Sequence, residues 1–448
     1  MPAAMLTQAA YPARLRSPAG IVAAALTALL ALPVSAQTAQ EDSVTARPRP
    51  EYEAIGLSPA VLFGYADDKA LLRGPLGLLD AFQIFPSLGL ELFSTDNVFK
   101  TPDGKVFDQV VRLQPTVELR SDWDNHALNL GFHADSLRHF DRKSEDTDDW
   151  GAFVDGRLDL SDRESIDLRA SHDLQHEERG SVDDVNGSEP TLFTVDAAQL
   201  DWRYQRAAVL TRFLFNSRHL RFLDTPSTLG VINQSDRNRW EYDPRLRVGY
   251  EAFAGTVLYV EPTLSWRRYD REFDRNNEQR DSDGRELLVG LTYDASAVSY
   301  LDIGVGYTRR DYKDPDLPSI SGFASRAALT WNPLDQITIN SSLSRSIREA
   351  TQQGVAGFFV TAASVSLDYE LRYDVILQSD ARYSLEQAKA RSGFSETDKI
   401  YGVGLGATFM VNEYMRTRAG YRFERRDSDV VGLDYSENRF FVRLELQY

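Results

Sequence analysis

The chain contains no cysteine and only 4 methionines among its 448 residues. A thiol nucleophile is therefore excluded, and the composition suits a chain that folds in an oxidising envelope without needing disulfides. Long apolar runs are also missing beyond the N-terminal region, and mean hydropathy is −0.39. A membrane helix needs a run of about 18 to 20 apolar residues, so a polytopic helical membrane protein is excluded. A basic excess is absent too: 50 Lys and Arg face 67 Asp and Glu, for a formal net charge of −17. Nucleic acid is not expected as a partner, because phosphate neutralisation needs a basic surface.

What is present begins with an address. Arg14 and Arg16 precede the apolar stretch Gly20–Leu32, which leads to Val34-Ser35-Ala36 and a polar run. This order predicts a signal peptide over residues 1–36, cleaved after Ala36. The apolar stretch is too short to span the roughly 30 Å of a bilayer core, and with no cysteine at the cleavage site a lipoprotein is not expected. Residues 37–80, with Ala46-Arg47-Pro48-Arg49-Pro50, show no strand alternation and are expected to form a periplasmic N-terminal segment or linker.

From residue 81 to 448 the governing signal is period two. Phe440, Val442, Leu444, Leu446 and Tyr448 share one face of the last segment, and Arg439, Arg443, Glu445 and Gln447 the other. The same alternation separates Tyr421 and Phe423 from Arg416, Arg418, Arg422 and Glu424, and Tyr401, Val403 and Leu405 from Gly402, Gly404 and Gly406. Successive strand side chains point to opposite faces, so these segments suit a wall with lipid on one side and water on the other. Their lengths of about 10 residues or more exceed the usual soluble strand. Trp150, Trp202, Trp240, Trp266, Trp331 and Tyr369 recur near segment ends, as interfacial girdles do.

Connections alternate in length. Short turns fall near Ser161–Glu164, Gln205–Ala207 and Val411–Tyr414, and longer polar loops near Asp96–Asp108, Arg179–Pro190 and Leu223–Arg237. The pattern predicts an all-β fold, a transmembrane antiparallel up-and-down β-barrel of about 18 strands with 16 as the alternative, both termini periplasmic, in the cell outer membrane. Phe440, Val442, Leu444, Leu446 and Tyr448 also resemble the signal by which the barrel assembly machinery recognises its clients. That machinery, outer-membrane lipid and lipopolysaccharide are the expected partners.

A barrel of this size encloses room for water. The expected pore-lining residues are Arg212, Arg218, Arg245, Arg247, Arg382, Arg416, Arg418, Arg422, Asp243, Glu261, Asp380 and Glu424, with Arg157, Arg169, Arg326, Asp155, Asp167, Glu241 and Asp374 on the same faces. Such charges either pair across strands as ladders or offer guanidinium groups to carboxylate, phosphate or sugar hydroxyls. No enzyme is expected: the six histidines accompany no nucleophile motif, and no GxSxG occurs. His133, His139, His172 and His176 are the one cluster to weigh for a metal, and neither metal nor cofactor is expected. Asp141–Asp149 reads as a solvated acidic run rather than a Ca²⁺ loop.

The stretch Pro86-Ser-Leu-Gly-Leu-Glu-Leu-Phe-Ser-Thr-Asp96-Asn97-Val98-Phe99, followed by Asp108, Leu113-Gln-Pro115 and Ser121-Asp122-Trp123, resembles the opening of an outer-membrane β-barrel porin family associated with exopolysaccharide and capsule loci. The resemblance runs from about residue 80 to the end. It implies a conduit, or an accessory, for export of exopolysaccharide or capsular polysaccharide, with periplasmic export components as further partners. The alternatives are a general or selective diffusion porin for small solutes and a structural or adhesive barrel with a blocked lumen. The porin alternative needs a loop folded inward as a constriction, and no loop is conspicuously longer than the rest.

Overall fold

The computed structural model describes residues 81–448 except 182, 295–297 and 392–395. The expected signal peptide, its cleavage after Ala36 and the 37–80 segment lie outside the described residues.

Period-two alternation becomes a run of long strands: β1 (Phe82–Thr95), β2 (Asp108–Ser121), β3 (Ala127–His139), β4 (Thr147–Ser161), β5 (Glu164–His176), β6 (Leu192–Arg206) and β7 (Val209–Phe222). A short ribbon of β8 (Thr225–Ser227) and β9 (Gly230–Ile232) follows, then β10 (Arg239–Phe253), β11 (Thr256–Tyr269), β12 (Ser282–Tyr293), β13 (Ser299–Tyr312) and β14 (Ile320–Leu334). The series ends with β15 (Ile337–Glu349), β16 (Val355–Arg372), β17 (Val375–Ala390), β18 (Thr397–Asn412), β19 (Met415–Ser428) and β20 (Tyr435–Gln447).

All but β8 and β9 belong to one 18-stranded sheet. Each strand lies antiparallel to its neighbours, and β1 pairs with both β2 and β20, so the sheet closes. Closure leaves no strand edge, which lets a β wall sit in hydrocarbon with its backbone groups satisfied. The expected count of 18 holds and the alternative of 16 does not.

Side chains sort as the alternation requires. On β18, Tyr401, Val403, Leu405 and Phe409 are exposed while Gly402, Gly404 and Thr408 are buried. On β20, Phe440 and Val442 are both 60% exposed. Large apolar side chains facing outward at every second position, strand after strand, make a belt suited to lipid and costly in water. The barrel is membrane-embedded. Among the described residues no helix is long and apolar enough to cross a membrane.

Two rims result. One carries turns of two to five residues; the other carries connections of five to sixteen, including the β8–β9 ribbon, which the alternation had not signalled. Buried apolar clusters gather at the long-loop rim, such as Ala350, Val355 and Phe358, and Leu317, Ile320, Ala356 and Phe359. There the loops cover the strand ends.

Candidate pore wall and constriction

All the expected wall residues from Arg212 to Glu424 stand on the rows opposite the exposed apolar side chains. What they do there divides into two kinds.

Across β10 to β14 the charges form closed networks. Glu241 receives Arg218 at 2.7 Å and Arg239 at 2.8 Å, with Arg267 at 3.7 Å. Arg267 in turn holds Asp243 at 2.9 Å. Glu261, only 1% exposed, is shared by Arg247, by Arg326 at 2.8 Å and by Arg245 at 3.5 Å. Arg247 also reaches Asp302 of β13 at 2.6 Å. The phenol of Tyr259 donates to Asp302 at 2.9 Å, and its ring lies across Gly290 and Gly304, where an added Cβ would come within 2.3 Å and 2.8 Å of it. Arg212 joins this side through Asp201 at 2.9 Å. Buried charges are tolerated here because each finds opposite charge and hydrogen bonds.

Across β17 to β19 the pattern changes. Inward positions of β18 are Gly402, Gly404 and Gly406, and neighbouring side chains lie over them: an added Cβ would sit 2.7 Å from Arg382 Cγ, 2.2 Å from Asp380 Oδ1 and 3.4 Å from Arg418 Nε. The register puts Arg382 opposite Gly402, and Gly404 opposite Arg422. The buried Nε atoms of Arg382, Arg418 and Arg422 make no hydrogen bond. Among the described residues none of these three arginines forms an ion pair; Arg418 lies 5.7 Å from the Phe441 ring centroid. Arg416, by contrast, is held by Glu445, and Glu424 receives Lys100 at 2.9 Å and the Tyr435 hydroxyl at 2.8 Å.

Above this wall, the loop at 177–191 leaves β5 and touches the rim at widely separated points. Arg237 Nη1 donates to Glu177 at 3.0 Å, and Lys100 to Glu178 at 3.2 Å. Arg179 pairs with Glu145 at 2.8 Å, and Arg426 of β19 donates to the Gly180 carbonyl at 3.0 Å. Thr351, between β15 and β16, donates to Asp183 at 2.8 Å, and the Ser188 amide donates to the Pro226 carbonyl at 2.8 Å. In the closed sheet β15 stands eight strands from β5 one way and ten the other. A segment bonded to both sides of an 18-stranded wall crosses the lumen. Sequence length concealed this: the β7–β10 connection is longer, so 177–191 did not stand out, and the inward fold is set by contacts far apart in the chain.

A second loop docks beside it. Arg280 donates to the carbonyls of Ala350 and Gln352, each at 2.8 Å, and of Val355 at 2.9 Å, while pairing with Asp274 and Glu278 at 2.6 Å. Arg426 is also clamped by Asp398 at 2.7 Å and approached by Glu396 at 3.5 Å. Burial, and then the Asp398 carboxylate beside it, push the Glu396 carboxyl up to about 7. Burial opposes the charge of Lys100, yet Glu424, Tyr435 and Glu178 hold its ammonium well above the usual lysine range.

Other expected positions resolve differently. Asp374 lies in the turn between β16 and β17, beside Arg372. The four weighed histidines each face a separate acid: His133 with Asp173, His139 with Asp146, His172 with Asp196 and His176 with Asp149. Among the described residues no group of three metal-ligating side chains converges. Arg157 and Arg169 pair with Asp159 and Asp155. Tyr259, Asp302, Arg267 and Arg280 escaped the sequence reading; the glycines at 290 and 304, breaking a wall of large side chains, were the available signal.

The model of the family described as "Putative beta-barrel porin 2" matches residues 79–448. No curated protein sequence matches the chain. Among solved structures, Pseudomonas aeruginosa OpdK with vanillate is similar at 10% identity and TM-score 0.47, covering 82% of this chain and 99% of that one. Pseudomonas aeruginosa OccK3 (OpdO) is similar at 14% identity and TM-score 0.44, covering 85% and 100%. The siderophore receptor PirA from the same organism reaches 8% identity and TM-score 0.42, covering 82% and 80%. At such scores none of these bears on what crosses this barrel.

Proposed function

The chain belongs to the family described as "Putative beta-barrel porin 2", and on that premise we propose that it is a diffusion pore of the outer membrane for small solutes, narrowed by the loop at 177–191. The observation that carries this reading is the chain of contacts taking that loop from Glu177 at Arg237 to Asp183 at Thr351. Barrels of 16 to 18 strands leave room for an aqueous channel, and an inward-folded loop converts such a channel into a size filter. Short turns then face the periplasm and long loops the exterior. Lipid and lipopolysaccharide contact the apolar belt, and Phe440, Val442, Leu444, Leu446 and Tyr448 serve as the assembly signal.

Single-channel recording in planar bilayers tests the pore. The protein is expected to conduct, and replacing residues 179–189 with a Gly-Ser linker is expected to raise the conductance, with folding checked by heat-modifiable migration. A folded barrel that conducts in neither form would sink the reading in favour of a structural barrel.

Export of exopolysaccharide is the second reading, favoured by the resemblance over Pro86–Trp123. It requires the crossing loop to swing aside for a polymer. Deleting the gene and measuring surface polysaccharide separates the two, since a diffusion porin leaves the polymer untouched.

A further inference from the structure

We infer that Arg382, Arg418 and Arg422 form a binding station on the lumen wall for small solutes bearing a carboxylate or phosphate group. The inference deepens the pore reading by naming the class of solute, and rests on it.

Three observations converge. The three guanidinium groups belong to adjoining rows of the β17–β18–β19 wall, and no ion pair neutralises any of them among the described residues, whereas arginines on β10 and β14 crowd around Glu241 and Glu261. Like charges left unneutralised in a partly buried setting are unfavourable unless water or a mobile anion reaches them. Second, the glycine floor of β18 supplies the space: with no Cβ at 402 or 406, Arg382 and Arg418 lie over these positions, with the Asp380 carboxylate over Gly404 between them. Third, the nearby acids do not cancel them. Glu424 is occupied by Lys100 and Tyr435, and the Asp380 carboxylate is seated on Gly404 without an ion pair to any of the three arginines. Asp380 and Asp368 are the acids beside Arg418, and three positive charges against these two negative ones leave the patch cationic. Guanidinium forks match the paired oxygens of carboxylate and phosphate better than they match a halide.

The crossing loop places this patch in the path of the solute. Its Gly180 carbonyl is bonded to Arg426, four residues along β19 from Arg422 on the same inward row. A solute passing the constriction therefore meets the arginines next.

The test uses the full barrel in planar bilayers, with inorganic phosphate and succinate as probes of chloride current. Both are expected to block the wild type, and the R382S/R418S/R422S variant is expected to bind them at least about tenfold more weakly. The triple lysine variant, keeping charge but losing the fork, is expected to retain anion preference yet discriminate less between phosphate and chloride. An R372S variant, which removes a charge from the turn at the opposite rim, is the control and should match the wild type. Unchanged block in the triple serine variant overturns the station while leaving the pore intact. If no current flows, the pore reading fails, and calorimetric titration of phosphate and succinate into the folded barrel then decides the station alone: binding lost in the triple serine variant supports it, and binding absent or unaltered overturns it.

Discussion

The two flanks of the lumen use the same device to opposite ends. On β12 and β13, Gly290 and Gly304 open a space that Tyr259 fills, and Tyr259 bonds to the Asp302 that also holds Arg247. On β18, Gly402, Gly404 and Gly406 open a similar space, but it is spanned by Arg382, Asp380 and Arg418, and among the described residues neither arginine forms an ion pair. One flank spends its charges on holding the wall together; the other keeps them for whatever enters. Charge count alone does not distinguish structure from recognition, whereas the pairing does.

The comparison breaks first at Glu261. Replacing it with Gln leaves Arg245, Arg247 and Arg326 crowded without their shared counter-charge, and the expected loss is about 3 kcal/mol in urea unfolding from vesicles. A loss under about 0.5 kcal/mol would mean that the paired flank is no more structural than the other. Next is Gly404→Ala, whose Cβ would lie 2.2 Å from Asp380 Oδ1; displacement of that side chain is expected to cost about 1 to 2 kcal/mol. Gly156→Ala, which meets nothing within 4 Å, serves as its control in the same assay, with a change inside about 0.5 kcal/mol.

A smaller, local effect is expected with pH. The Glu396 carboxyl has an ordinary value of 4.5 and is raised to about 7 in the fold by burial and by Asp398. The folded state therefore binds more protons than the unfolded state between those values, and stability falls as pH rises through that window. Amide protection around Gly180 and Thr397, corrected for intrinsic exchange, should decline from pH 4.5 to about 7 and then level off. E396Q should flatten the profile; a wild-type profile that is already flat would contradict the assignment. The smallest effect belongs to Arg382→Ser, expected to alter stability by less than about 0.5 kcal/mol, because among the described residues it breaks no ion pair.

The barrel was readable because its cause is local. Alternation in segments such as Met415–Glu424 and the turn residues near Ser161 and Gln205 fix strands and hairpins from neighbours in sequence. The rows of wall charges followed from the same parity. Their pairing did not, because Arg326 and Glu261 belong to strands β14 and β11, brought together only by wall curvature and the absence of bulk between them. Hence Arg416 looked equivalent to Arg418 and Arg422, although Glu445 occupies it, and Arg382 gave no separate sign. The crossing of 177–191 was invisible for a related reason: its partners at Lys100, Thr351 and Arg426 are scattered along the chain. Asp374 keeps the parity of Asp380 but falls in the two-residue turn just before β17 begins at Val375, so it stands at the rim rather than on the wall.

The reversal potential across a KCl gradient, measured in planar bilayers for the wild type and for R382S/R418S/R422S, tests the claim that the unpaired flank governs passage. The account predicts anion preference in the wild type and its loss in the variant. A cation-preferring wild type, or an anion preference that survives the triple substitution, would contradict it.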